Sequence, residues 1–107
     1  MTFDPGLRRV PDAALWRLER FLSELDAWAD REHPSDDIRL IVTAWIVGRQ
    51  DDPYRGVRRE PQFENLWYGV VPDSNDETGQ VVTCSYWIVE SEHLVRCNSF
   101  ATLGLPI

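Results

Sequence analysis

Apolar and polar residues alternate most regularly in the last third of the chain. Gln80–Glu90 (QVVTCSYWIVE) and His93–Thr102 (HLVRCNSFAT) are rich in β-branched and aromatic residues, and a short polar turn, Ser91-Glu92, joins them. This predicts a two-stranded antiparallel hairpin. If Glu90 pairs with His93, then Ile88 faces Val95, Tyr86 faces Cys97 and Cys84 faces Ser99. Side chains alternate along a strand. One face is then Val82, Cys84, Tyr86, Ile88, Val95, Cys97, Ser99 and Ala101, a core face. The other carries Trp87, Arg96, Asn98 and Phe100 among small polar groups, a composition suited to docking.

The period changes to that of a helix between Asp12 and Glu32. Leu15, Leu18, Leu22, Leu25 and Ala29 recur at alternating spacings of 3 and 4, which predicts one buried helical face. Phe21 and Trp28 widen that face, Trp16 lies off its edge, and Asp12 after Pro11 is the expected N-cap. Residues 35–50 read two ways. Ser35-Asp36-Asp37 after Pro34 is a helix entry, with a capping residue and acids against the helix dipole. Ile38, Ile41, Val42, Thr43, Ile46 and Val47 are β-branched, as in a buried strand. The local capping signal favours helix. Asp51–Pro61 is a turn-rich connector. Phe63–Val71 reads as a strand with Gly69 as a candidate bulge, and Pro72–Gly79 is a polar loop. The whole predicts a single α+β domain over residues 1–107. One or two N-terminal helices would pack on one face of a three- to four-stranded antiparallel sheet.

Composition narrows the function. The chain has 107 residues, 43% hydrophobic and 27% charged, with five Trp, enough burial potential for an ordered core. Its longest apolar run, Leu40–Val47, is too short to span a bilayer. Met1–Val10 lacks the apolar segment of a signal peptide, so a cytoplasmic location and no membrane partner are expected. All eleven Lys/Arg positions are Arg, in keeping with GC-rich coding, and the net charge is −7. Residues 1–60 hold ten Arg against twelve acids, a balance of −2; residues 61–107 hold one Arg against six acids, a balance of −5. Such a chain is poorly suited to tight nucleic-acid binding, which needs phosphate neutralisation. The exception is a local cluster, Arg55, Arg58 and Arg59 with Arg49 nearby, which could contact an anion. Cys84 and Cys97 share the core face as diagonal neighbours about 7–8 Å apart, beyond easy disulfide reach, and are expected to be buried free thiols.

Motifs for cofactor or catalytic chemistry fail their spacing tests, and no cofactor or metal is expected. Asp73, Asn75 and Glu77 alternate like a calcium loop, but Thr78 stands where that loop needs glycine. Cys84, Cys97, His33 and His93 lack zinc-ligand spacing. Ser85 and Ser99 lack the context of an activated nucleophile. Glu64, Glu90 and Glu92 sit at strand ends, where acids are usually solvated.

The element order, with the wording of three segments, resembles the RelE/ParE family of bacterial toxin–antitoxin toxins, small β-α-α-β-β-β domains. Asp51-Asp52-Pro53-Tyr54-Arg55-Gly56 is similar to the D-P-x-x-G segment ahead of the sheet in many members. Leu66-Trp67-Tyr68-Gly69-Val70-Val71 resembles the first central strand and Gln80–Val89 the second. The resemblance covers about two-thirds of the chain. It implies a bacterial protein with an antitoxin or target protein as partner, and, if an enzyme, a RelE-like endoribonuclease that would also contact nucleic acid. Members that cleave ribosome-bound message use basic, His or Tyr side chains in and after the strands. Only Arg96 and, loosely, Tyr86 match such positions here, and the final strand lacks a basic tail. These departures lead to the expectation of a toxin-fold protein that acts mainly by binding protein, with weak or absent RNA cleavage. Its expected surface is Trp87, Arg96, Asn98 and Phe100 with Arg55, Arg58 and Arg59. The alternative is an acidic inhibitor or immunity-type protein that covers a basic nuclease or nucleic-acid enzyme through the loop acids Asp73, Asp76 and Glu77.

Overall fold

A computed structural model describes residues 15–104, and among these five strands and two α-helices build the fold. The strands are β1 (Arg17–Glu19), β2 (Arg58–Arg59), β3 (Leu66–Val70), β4 (Gln80–Val89) and β5 (Leu94–Gly104); the helices are α1 (Phe21–Glu32) and α2 (Asp36–Gly48). They form one sheet in the order β1-β5-β4-β3-β2. The β2–β3, β3–β4 and β4–β5 pairs are antiparallel, and β1 runs parallel to β5. The architecture is thus α+β, with a five-stranded mixed sheet in place of the expected three to four antiparallel strands.

The extra strand comes from the leucine stripe. Residues 17–19 do not continue the helix backwards; Arg17, Leu18 and Glu19 pair with Leu94, Val95 and Arg96. Their backbone groups are taken up by the sheet, with the Arg17 N–H donating to the His93 carbonyl at 3.0 Å. Leu18 packs against the core from an extended backbone, so a spacing that suits a helix is satisfied by a strand followed by a helix. The chain turns at Arg20, whose φ of 68° is left-handed, and α1 begins at Phe21. The expected N-cap Asp12 lies outside the described residues. Large rings decide the buried face of α1: Phe21, Leu25 and Trp28 are buried, while Leu22 is 69% exposed. Leu22→Ala should therefore change stability by less than about 0.5 kcal/mol in a urea titration, as at other surface positions. A loss of about 2–5 kcal/mol, usual for a buried leucine, would place it in the core instead.

Residues 36–48 settle as helix. Ser35 is extended, and its hydroxyl accepts from the Ile38 N–H at 3.2 Å, satisfying one of the free donors of the first turn. Val42 and Ile46 face the sheet. Both helices cover the sheet face that carries Val82, Cys84, Tyr86, Ile88, Val95, Cys97 and Phe100. Cys84 and Cys97 are buried and unbonded, with their sulfurs 4.0 Å apart. Burial, and then the contact with Cys97, push the Cys84 thiol well above its ordinary value.

The β4–β5 register holds at Ile88–Val95 and Tyr86–Cys97 and then shifts. Ser85 pairs with Ser99 and Cys84 with Phe100, so Asn98 is an extra residue, a bulge. Because side-chain parity has a period of two, one inserted residue exchanges the faces beyond it. Ser99 moves off the core face and Phe100 moves onto it. Gly69 is no bulge; it pairs regularly with Cys84. Its role is close approach, since a Cβ there would stand 2.8 Å from the Gly56 carbonyl oxygen and 2.9 Å from a Val57 methyl.

Candidate functional site

The sheet face turned away from the helices is the candidate site. Alternation brings its residues into cross-strand rows. Arg58, Tyr68, Ser85 and Ser99 form one row across four strands. Leu66, Trp87, Arg96 and Glu19 form the next, and Val70, Thr83 and Ala101 the one on the other side. A hollow of about 440 Å³ lies over the first row, lined by Arg58, Tyr68, Val70, Thr83, Ser85 and Leu103 among others. Tyr68, Val70 and Leu103 are exposed and Trp87 is half-buried, so the face offers sizeable apolar surface among hydroxyls.

The expected surface residues are partly brought together here. Trp87 and Arg96 are cross-strand partners. Asn98, the bulged residue, is exposed, and its side-chain amide donates to the Ser85 hydroxyl at 2.9 Å; the Ser85 and Ser99 hydroxyls are 3.4 Å apart. Phe100 is not on this face. It is 1% exposed and packs with Phe21 and Trp28, its ring centroid 6.4 Å and 6.2 Å from theirs. The arginine cluster is also split. Arg58 lies beside Tyr68, whereas its neighbour Arg59 pairs with Trp67 and belongs to the other side of the sheet. Arg55 sits in the preceding turn, where its carbonyl accepts from Arg49 at 2.8 Å.

Arg49 is not part of any surface patch. It is 5% exposed, stacks over the Trp45 ring at 4.3 Å, and donates to the carbonyls of Trp45 and Arg55 and to the Tyr86 hydroxyl. Tyr86 in turn donates to the Pro53 carbonyl. Burial pushes the Tyr86 hydroxyl up to about 12, against the opposing pull of the Arg49 charge. This buried set fastens the connector to the sheet, and it removes Tyr86 from the list of groups that could meet a ligand.

The open face has little with which to do acid–base chemistry. Arg96 forms an ion pair with Glu19 at 2.9 Å. His33 caps the end of α1 and His93 stacks on Trp16 at 4.0 Å, both away from the rows described above. Tyr54 donates to the Glu90 carboxylate, and burial together with that carboxylate raises its hydroxyl to about 12. A general acid or base works best with a pKa near the operating pH, and neither tyrosine hydroxyl with a raised value meets that need. Among the described residues no three His, Cys, Asp or Glu side chains come together as a metal site, and no helix is long and apolar enough to cross a membrane.

The acidic loop lies elsewhere. Asp73, Asp76 and Glu77 border a second, larger groove of about 670 Å³ between the β3–β4 loop and the α1–α2 turn. Asp76 accepts from the Thr78 N–H, the Thr78 hydroxyl and the Gln80 N–H at 2.8, 2.6 and 3.0 Å, and these bonds hold its carboxyl below the usual value.

Sequence reasoning missed Tyr68 and Ser99 as members of the open face. Tyr68 was legible from the period of two in Leu66, Tyr68 and Val70. Ser99 was not, because its face depends on the bulge.

No protein-family profile matches the sequence, and no curated protein matches it in sequence. A solved structure does match in three dimensions: a double arginine-to-alanine variant of the E. coli toxin RelE in the free state. It has a TM-score of 0.58 and 11% sequence identity, over 81% of this chain and 82% of that one. With the mixed sheet and its helical layer, this likeness establishes a RelE-like fold for the chain.

Proposed function

We propose that this chain is a toxin–antitoxin-type protein whose open sheet face binds a protein partner, and that it does not cleave RNA. One observation carries the reading: Arg96, the arginine that the family resemblance offers for catalysis, is paired with Glu19 on a face whose other large groups are Arg58 and the mostly apolar Leu66, Tyr68, Val70, Trp87 and Leu103. Stabilising the developing charge at a scissile phosphate requires donors aimed at it. Glu19 occupies the Nε donor of Arg96 and offsets its charge, and the net charge of −7 opposes approach to a ribosomal RNA surface. Aromatic side chains on a partly desolvated face are the usual anchors of protein–protein interfaces. The RelE-like fold supports the toxin–antitoxin setting, and the chemistry of the face supports binding as the mode of action.

The expected result is that purified protein leaves ribosome-bound message intact, and that Arg96→Ala changes nothing in that assay. Coexpressed with the product of the adjacent reading frame, the chain should form a complex. Trp87→Ala and Tyr68→Ala should each weaken it by about tenfold or more, as truncated aromatic anchors do. Robust cleavage lost on Arg96→Ala would overturn the non-catalytic reading. Complex formation indifferent to both aromatic substitutions would remove the open face as the binding surface.

A further inference from the structure

The larger groove lies on the helical side of the sheet, away from the open face. Its floor is apolar: Trp28 and Val82 are buried there, with Ile38, Ile41 and Pro34 partly buried beside them. Its rim is acidic and comes from three separate segments. Glu32 closes α1, Asp37 lies in the first turn of α2, and Asp73, Asp76 and Glu77 belong to the β3–β4 loop. Among the described residues no arginine lines this groove, and His33 is the only basic side chain among its described lining groups. Among the described residues no arginine forms an ion pair with Asp37, Asp73 or Glu77. These carboxylates ring the groove and do not converge as a metal site.

The rim is also fixed in place. Ser74 is buried, donates to the Val71 carbonyl at 2.7 Å and accepts from the Val82 N–H at 2.9 Å. Asp76 spends one carboxylate oxygen on the loop's own hydroxyl and N–H groups. A surface that is already ordered does not lose that freedom on binding.

We propose that this groove docks a basic amphipathic segment of a partner protein. The segment seats an apolar side chain on Ile38 and Ile41, above the buried Trp28, and places Lys or Arg against Asp37, Asp73 and Glu77. Charge complementarity selects the occupant. Nucleic acid is repelled by the rim, and an acidic or neutral peptide gains only the floor. Carboxylates spread over three segments suit cationic side chains spaced along a peptide. The apolar floor supplies affinity that survives salt, while the rim sets orientation and speeds encounter.

The test uses the full chain and a fluorescent synthetic peptide of about 12 residues, with Arg on one helical face and Leu on the other, the usual pattern of a segment that lies in a groove. Titration should shift the Trp28 indole N–H and the Ile41 methyl resonances. The triple variant Asp37→Asn, Asp73→Asn, Glu77→Gln should weaken binding by about tenfold or more. A control of equal charge change, Asp26→Asn, Asp30→Asn, Glu64→Gln, should weaken it by less than about twofold. Asn is well tolerated at position 73, where φ is 63°. Equal loss in both triples would mean general attraction to an acidic protein and would overturn the proposal. So would resonance shifts confined to Tyr68 and Trp87, or equal binding of the peptide with Glu in place of Arg. None of these results bears on the complex formed through Tyr68 and Trp87, which is measured separately.

Discussion

Phe100→Ala is expected to destabilise the protein by about 3–5 kcal/mol, the usual cost of emptying a buried phenylalanine site. The ring is 1% exposed and sits between Phe21 and Trp28 of α1. Its removal takes away the contact that fixes α1 on β5, and Trp28 cannot collapse into the space while its indole N–H donates to the Thr102 hydroxyl at 2.9 Å. For a domain of this size each kcal/mol lowers Tm by about 4–8 °C, so the loss should be plain in both thermal and urea unfolding. Trp87→Ala, on the opposite face, should cost much less stability. If Phe100→Ala cost under about 1 kcal/mol, the bulge at Asn98 would be misplaced and Phe100 would belong to the open face.

The second large effect is expected at Arg49. Its guanidinium bridges the Trp45 and Arg55 carbonyls and the Tyr86 hydroxyl from a nearly water-free position. Arg49→Ala takes the donor from the buried Tyr86 hydroxyl, at about 1–3 kcal/mol, and from two part-buried carbonyls, and it empties the space over the Trp45 ring. A total loss of about 3 kcal/mol or more is expected, with the connector that carries Arg55 and Arg58 loosened. Arg49→Lys should recover little, because an ammonium lacks the planar fork that reaches several acceptors at once. Tyr86→Phe removes the hydroxyl and leaves the Pro53 carbonyl unpaired, costing about 1–2 kcal/mol. The two substitutions combined should cost less than their sum, since they share one network. Strict additivity in denaturant titrations would show that Arg49 and Tyr86 act apart.

The hairpin, the capped entry of α2 and the buried half of α1 were all legible in the sequence, because each rests on a signal carried within a few residues. Ser35 announces its helix by chemistry, and alternation announces β4. What was not legible depends on partners far along the chain. Leu15, Leu18 and Leu22 keep helical spacing, yet Leu18 lies in a strand because β5 offers an edge to pair with, and Leu22 points to solvent. Asn98 looks like any polar residue on a strand, and nothing local marks it as the one that reverses parity. Among the candidate site residues, Trp87 and Arg96 fell where alternation put them, and Phe100 did not because it lies beyond the bulge. Arg49 shows a different limit. Its sequence neighbours are Gly48, Gln50 and two aspartates, which suggest a solvated turn, and one of its buried partners is a tyrosine thirty-seven positions away.

The parallel pairing of β1 with β5 joins Arg17–Glu19 to Leu94–Arg96, strands from the two ends of the described chain. Closing so long a loop carries an entropic cost that a hairpin between neighbouring strands avoids, so the β4–β5 ribbon has the kinetic advantage and β1 docks onto it afterwards. During synthesis the order is sharper. The segment that becomes β1 leaves the ribosome first, but its hydrogen-bonding partner does not exist until Arg96 has been added and has cleared the exit tunnel. For that whole interval α1 lacks both the strand beside it and the β5 surface beneath it, including Phe100. Until the β5 segment has left the tunnel, Phe21 and Trp28 lack the Phe100 ring that packs against them in the folded protein.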